Sequence, residues 1–151
     1  MESLRGRHTW KFKGCVLYKI WKVDLLMAKL KVTHYDDVPV EEFPGGAQYK
    51  TLVNENSEDA QLVAGIQVSP PGYSTPNHSH PYVEIITVIE GEAEAWSDGS
   101  VEAIYVGPGG TVIFPANECH GFRVVGDRPL KTYGIHISKS RIVEMDGSAA
   151  G

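Results

Sequence analysis

The sequence predicts an all-β fold, a sandwich or barrel of short strands, on three observations. From Lys29 onward, runs rich in β-branched and aromatic residues are broken at regular intervals by glycine and proline. No segment there sustains a helical period over about ten residues. Turn signals separate the runs at Pro44-Gly45-Gly46, Pro70-Pro71-Gly72, Asp98-Gly99, Gly107-Pro108-Gly109-Gly110 and Gly126-Asp127.

Taken in order, Lys29–Tyr35 alternates polar and apolar, Gln48–Val53 reads as extended, and Gln61–Val68 is apolar on both faces. Tyr82–Glu90 is dominated by β-branched residues, Glu92–Ser97 alternates, and Glu102–Val106 follows a Ser-Asp-Gly-Ser turn. Thr111–Phe114, Cys119–Val125 and Leu130–Ser138 complete the series. Along Tyr82–Glu90, Glu84, Ile86 and Val88 share one face, and Val83, Ile85, Thr87 and Ile89 the other. Both faces are apolar, so both require cover. A barrel interior covers one, and a second sheet, the N-terminal arm or a second subunit covers the other. A homodimer is the expectation.

At 151 residues the chain is the size of one domain, with an ordinary hydrophobic content of 42%. The net charge of −5 argues against nucleic acid as the main partner, and no helix-turn-helix pattern accompanies the strands. No apolar run approaches the roughly 18 residues of a membrane span, so no membrane partner is expected. Cys15 and Cys119 supply no disulfide framework, and Lys19, Lys22 and Asp24 interrupt the one apolar stretch near the start. A cytoplasmic location is the default. Residues 1–26 carry six basic side chains against Glu2 and Asp24, a net of +4, which leaves −9 for the rest. The segment also holds Trp10 and Trp21 and precedes Met27. The expected organisation is an extension over 1–28, a barrel domain over 29–140 and a disordered tail over 141–151.

The chemistry concentrates at His78-Ser-His80-Pro-Tyr-Val-Glu84. If the strand runs unbroken, alternation turns His78, His80 and Glu84 to one face. A further histidine, His120, opens a strand after the Pro115-Ala-Asn117 turn. A lone His-x-His is more often a surface or packed pair than a metal site. The joint pattern, three imidazoles and a carboxylate within glycine and proline punctuation, points to a bound metal.

These residues resemble the cupin superfamily. Gly72, five residues, His78-x-His80, three residues, Glu84, six residues and Gly91 is similar to the first cupin motif at every spacing. Gly109, five residues, Pro115 and then His120 resembles the second motif. Asn117 stands where the family usually has glycine, and Val124 where it usually has asparagine. Asparagine is the next-best residue for a left-handed turn, so the turn is expected to survive. The resemblance implies a cupin-type double-stranded β-helix, a jelly-roll barrel, of the small single-domain kind. It implies His78, His80, Glu84 and His120 as metal ligands, and Glu84 is also a catalytic candidate that could detach and serve as a base.

Four protein ligands on zinc would close a tetrahedral site, whereas an octahedral metal keeps two positions free. Such a set suits Fe(II), Mn(II), Ni(II) or Co(II) alike, and the related oxygenase logic of histidine and carboxylate ligands with open positions makes Fe(II) the first expectation, with the others and Zn(II) as alternatives. A +2 metal and one carboxylate leave a charge of +1, which suits an anionic small-molecule substrate. The expected function is a non-haem Fe(II) dioxygenase acting on an enolisable or phenolic anion. A redox-neutral lyase or isomerase and a non-catalytic binding cupin remain as alternatives.

Beside the ligands, Tyr82 shares parity with His80 and Glu84 and is a candidate acid or hydrogen-bond donor, with a packed aromatic role as the alternative. Phe122 should line the cavity, and Cys119 and Arg123 should face away. In Tyr133-Gly-Ile-His136-Ile the apolar parity favours Tyr133 inward, as a catalytic candidate, and leaves His136 outside. Gln67 could orient substrate, and Gly65 leaves room for a ligand or marks a bulge. His8 and His34 have no partners in sequence.

Overall fold

The computed structural model describes residues 30–57, 60–100 and 102–146. The chain separates into residues 1–30 and 31–151, and every strand belongs to the second unit among the described residues. The expected N-terminal extension, with Trp10, Trp21, His8 and Cys15, lies outside the described residues.

Eleven strands form among the described residues: β1 (Glu41–Glu42), β2 (Gln48–Val53), β3 (Val63–Ser69), β4 (His78–Ser79), β5 (Glu84–Glu90), β6 (Glu92–Ser97), β7 (Ile104–Val106), β8 (Thr111–Phe114), β9 (His120–Val125), β10 (Leu130–His136) and β11 (Glu144–Met145). They make a six-stranded sheet in the order β1-β2-β3-β10-β5-β8 and a five-stranded sheet in the order β11-β4-β9-β6-β7. Every pairing is antiparallel. The two sheets face each other as a jelly-roll sandwich, the all-β class that the strand pattern predicts.

Between the sheets lies an apolar core of Val88, Ala93, Ala95, Val106, Phe114, Phe122, Val124 and Leu130. Small residues on β6, Ala93 and Ala95, leave room for the Phe114 and Phe122 rings. The outer face of the six-stranded sheet is also apolar. Ile85 pairs with Ile113 on one side and Ile135 on the other, and Ile113 is 64% exposed.

Three expectations need correction. Lys29–Tyr35 is not a strand: residues 30–34 form none, and Tyr35–Asp37 makes a single 3-10 turn. Alternation without a sheet edge to join produces no strand. The Tyr82–Glu90 run begins only at Glu84, because Pro81 cannot donate to a ladder and the chain changes sheets there. The tail expected from 141 onward does not describe residues 141–146. Glu144 and Met145 pair with Ser79 and His78, and Ile142 is hydrogen-bonded to Tyr82 through both its N–H and its carbonyl.

Two backbone positions lock the site end. Gly65 lies so close to its neighbours that a Cβ there would meet the Lys50 carbonyl at 2.3 Å and the Tyr49 hydroxyl at 2.6 Å. The room at Gly65 is thus filled by Tyr49. Asn117 takes the left-handed conformation, φ 64°, as the motif comparison anticipates. Its N–H donates to the His80 carbonyl at 2.7 Å, so this turn ties the two motifs together.

Asn117→Ala should therefore lower stability by about 1–2 kcal/mol, the cost of a Cβ-bearing residue without a polar side chain in that conformation, while Asn117→Gly should stay near wild type. Urea denaturation of the two variants checks this.

Candidate metal centre

The four motif residues converge although three sit on separate strands and the fourth, His80, on the segment between two of them. The segment before β4 lies along the edge of β9, with the Thr75 N–H donating to the Phe122 carbonyl and the Val124 N–H to the Tyr73 carbonyl, both 2.9 Å. Thr75 Oγ1 in turn accepts from the Phe122 N–H at 2.8 Å. This sets His78 opposite His120 in register. The chain then crosses through His80 and Pro81 to the other sheet, where Glu84 opens β5. The ligand set thus bridges both sheets, and a single strand face, the geometry expected from alternation, does not account for it.

One ligand atom from each of His78, His80, Glu84 and His120 lies within 4.8 Å of every other. His80 and His120 are each 1% exposed and Glu84 is 6% exposed. Glu84 Oε2 stands 3.3 Å from His80 Nε2 and 3.0 Å from His120 Nε2.

The outer nitrogens decide what the inner ones offer. His78 Nδ1 faces the Pro76 carbonyl at 2.8 Å, His80 Nδ1 the Ile142 carbonyl at 2.5 Å, and His120 Nδ1 the Glu118 carbonyl at 2.7 Å. A carbonyl only accepts, so each Nδ1 carries the proton and each neutral ring presents a lone pair at Nε2. His80 Nε2 is buried without a hydrogen-bond partner. Lone pairs aimed at one carboxylate repel unless a cation sits among them, either a proton or a metal ion. Backbone-held imidazoles of this kind are the usual outer support of metal sites. The donor set fits a divalent transition metal.

Charge follows the same logic. Burial alone would raise the Glu84 carboxyl, but the imidazoles of His120 and His80 that face its Oε2, with His136 beside Oε1, hold it well below the usual carboxylate range. Burial opposes protonation of His80, and the Glu84 partner overcomes it to raise that ring. His78 is lowered, chiefly by burial.

A further histidine belongs here. His136 is 4% exposed, sits opposite Glu84 in the β5–β10 register, and places Nε2 3.5 Å from Glu84 Oε1. Burial lowers its pKa to about 4. The parity expected for β10 is therefore inverted. Leu130, Thr132, Gly134 and His136 point inward, and Tyr133, Ile135 and Ile137 outward. Apolar residues cover the outside of this sheet while polar ones line the cavity, so the rule of apolar inward fails here. The signal available was the small and polar parity of Thr132, Gly134 and His136.

The cavity above the cluster has a volume of about 280 Å³. Phe43, Tyr73, Ile86 and Phe122 give it apolar walls, and Gln67 lines it with Nε2 donating to Ser69 Oγ at 3.0 Å. Tyr82 does not line it. Its ring stacks on His80 at 5.2 Å and its hydroxyl is occupied by the Ile142 backbone, so it braces the ligand loop. Arg123 faces away, paired with Glu94, and Cys119 lies near Asp146.

Residues 65–136 match the family model described as Cupin domain. No curated protein matches the chain by sequence. Among solved structures, the polyketide cyclase RemF from Streptomyces resistomycificus is 25% identical, with a TM-score of 0.66 over 78% of this chain and 85% of that one. A cupin-like protein from Thermotoga maritima is 27% identical, with a TM-score of 0.62 over 70% and 80%. An oxalate decarboxylase from Lactobacillus farciminis shares the fold at 19% identity and a TM-score of 0.66; this chain spans 34% of its length.

Replacing His78, His80 or His120 singly by alanine should abolish stoichiometric metal binding, measured by elemental analysis after gel filtration. Chelation should lower the melting temperature of the wild type and change those variants little, because a ligand at a hundredfold excess over Kd stabilises by about 2.7 kcal/mol. Glu84→Gln should bind more weakly than wild type but more tightly than the histidine variants.

Metal-free protein carries a pH signature from His136. Its pKa is lowered in the fold, so the unfolded chain takes up a proton below about 6.5 while the folded chain resists to about 4. Stability contributed by this residue is present above 6.5 and is lost as pH falls toward 4, by on the order of 3 kcal/mol at most. His136→Asn should flatten that part of the urea-derived stability profile.

Proposed function

We propose that this chain, whose residues 65–136 match the cupin domain model, is a metal-dependent enzyme acting on a small anionic molecule. In the first instance it is a non-haem Fe(II) dioxygenase of an enolisable or phenolic anion. The observation that supports this reading is the convergence of three carbonyl-oriented imidazoles and one buried carboxylate at the floor of an apolar cavity.

His78, His80, Glu84 and His120 would hold the metal, which supplies Lewis-acid polarisation and, for iron, access to dioxygen chemistry. The remaining work falls to the chain. Glu84 offsets one positive charge and leaves the site at +1, which favours an enolate, phenolate or carboxylate. His136 directs Nε2 toward Glu84 and leaves Nδ1 buried without a partner, so Nδ1 is available to accept a hydrogen bond from a substrate hydroxyl. Burial keeps this ring neutral at neutral pH. Phe114 stacks on His120 at 4.2 Å and Phe122 forms the adjacent wall, which keeps water from the ligand side chains and strengthens electrostatic contacts with the anion.

A redox-neutral reading draws support from the similarity to the polyketide cyclase. The same site would then stabilise an enolate without oxygen.

Metal analysis of protein purified without chelator, followed by reconstitution with Fe(II), Mn(II), Co(II), Ni(II) and Zn(II), separates these readings. For the dioxygenase, catechol and enolisable diketone panels should show turnover with iron in air, with oxygen uptake matching substrate loss. Turnover that proceeds equally under nitrogen would transfer the assignment to the redox-neutral class.

A further inference from the structure

The wall formed by β1, β2 and the segment after β10 carries two buried donors that the metal centre does not use. Tyr49, 3% exposed, and Arg141 both line the cavity. Tyr49 Oη and Arg141 Nη1 are each buried without a hydrogen-bond partner. Leaving such groups unpaired is costly, and a guanidinium nitrogen more so than a hydroxyl.

The Arg141 side chain is held in place from three sides. Glu41 Oε2 accepts from Nη2 at 2.5 Å, and Glu41 Oε1 accepts from Thr51 Oγ1 at 2.8 Å. The guanidinium carbon lies 5.1 Å from the Phe43 ring centre and 4.7 Å from that of Tyr49, two rings that stack on each other. Glu41 occupies one edge of the fork and leaves Nη1 to another acceptor. Tyr49 sits over Gly65, where no side chain displaces it, and burial pushes its hydroxyl up to about 12. It therefore donates throughout the neutral range. His136 Nδ1 is unpartnered too, but the Nε2 of the same ring faces Glu84, so the residue belongs with the candidate metal centre.

We propose that Arg141 and Tyr49 form an anion subsite that seats a carboxylate, or an equivalent second oxyanion, of the substrate. This rests on the reading of the cavity as a substrate pocket. It deepens that reading by naming the substrate class: a small planar molecule, aromatic or enolic, that bears a carboxylate apart from the group that meets the metal. A fixed guanidinium edge with an adjacent hydroxyl matches a carboxylate in geometry and charge. Phe43, Tyr73 and Phe122 supply flat apolar walls for the body of such a molecule.

The test compares benzoate with its neutral isostere benzamide, titrated by calorimetry into chelator-treated and Zn(II)-loaded full-length protein. In the metal-free protein, benzoate should bind about tenfold more tightly than benzamide. The preference should vanish in Arg141→Gln and weaken in Tyr49→Phe, with melting curves confirming that both fold. Equal binding of the two probes, or a preference that survives Arg141→Gln, overturns the subsite. A preference seen only with Zn(II), and unchanged by Arg141→Gln, overturns the subsite but leaves the metal reading intact. An Arg141-dependent preference in the metal-free protein supports the subsite whether or not Zn(II) strengthens it, since benzoate has no second group for the metal, and failure of Zn(II) to load counts against the metal reading alone. If Arg141→Gln does not fold, Glu41→Gln provides the decision. Releasing the occupied edge of the guanidinium should raise benzoate affinity severalfold, and no change overturns the proposal.

Discussion

The structure depends on the burial of one carboxylate. Glu84 is 6% exposed at the junction of two sheets, where an unpaired charge would cost several kcal/mol. Imidazoles from both sheets surround it: His120 from the five-stranded sheet, His136 from the six-stranded sheet, and His80 from the crossing between them. A single buried negative charge therefore clasps the open end of the sandwich, while hydrophobic contact closes the other end. The same charge makes the cluster suitable for a cation.

The clasp has an outer layer of backbone. The carbonyls of Pro76, Glu118 and Ile142 set the tautomers of His78, His120 and His80, and each carbonyl comes from a different connecting segment. Turns and loops that look like spacers in the sequence thereby determine which lone pairs point inward. Residues 141–146 are the clearest case, because one carbonyl at Ile142 serves both His80 and Tyr82. Arg141, one residue earlier, joins the opposite wall through Glu41. A strap of six residues thus connects the histidine–glutamate cluster to the far side of the cavity.

The cavity also accounts for the inverted strand faces. A sheet that lines a polar site inside and carries Ile85, Ile113 and Ile135 outside reads backwards by hydrophobicity. On β10 this inversion exchanges the roles of Tyr133 and His136. Gln67, by contrast, reaches the cavity from a strand whose apolar character is ordinary, because its amide is already satisfied by Ser69.

What the sequence determined by itself is what depends on local spacing. Glycine and proline punctuation located most of the strands, with β2, β6 and β8 matching the run boundaries, since turns demand particular backbone angles. The spacing of His78, His80, Glu84 and His120 within that punctuation identified the four residues that converge. Tertiary structure alone decided how they converge, because the change of sheet at Pro81 is invisible to a rule of alternation. It alone decided that His136 turns inward, since which face of β10 is interior depends on what covers the other face. And it alone joined Glu41, Tyr49 and Arg141, which are up to a hundred residues apart in the chain, because contacts of that range are set by sheet order and not by sequence spacing.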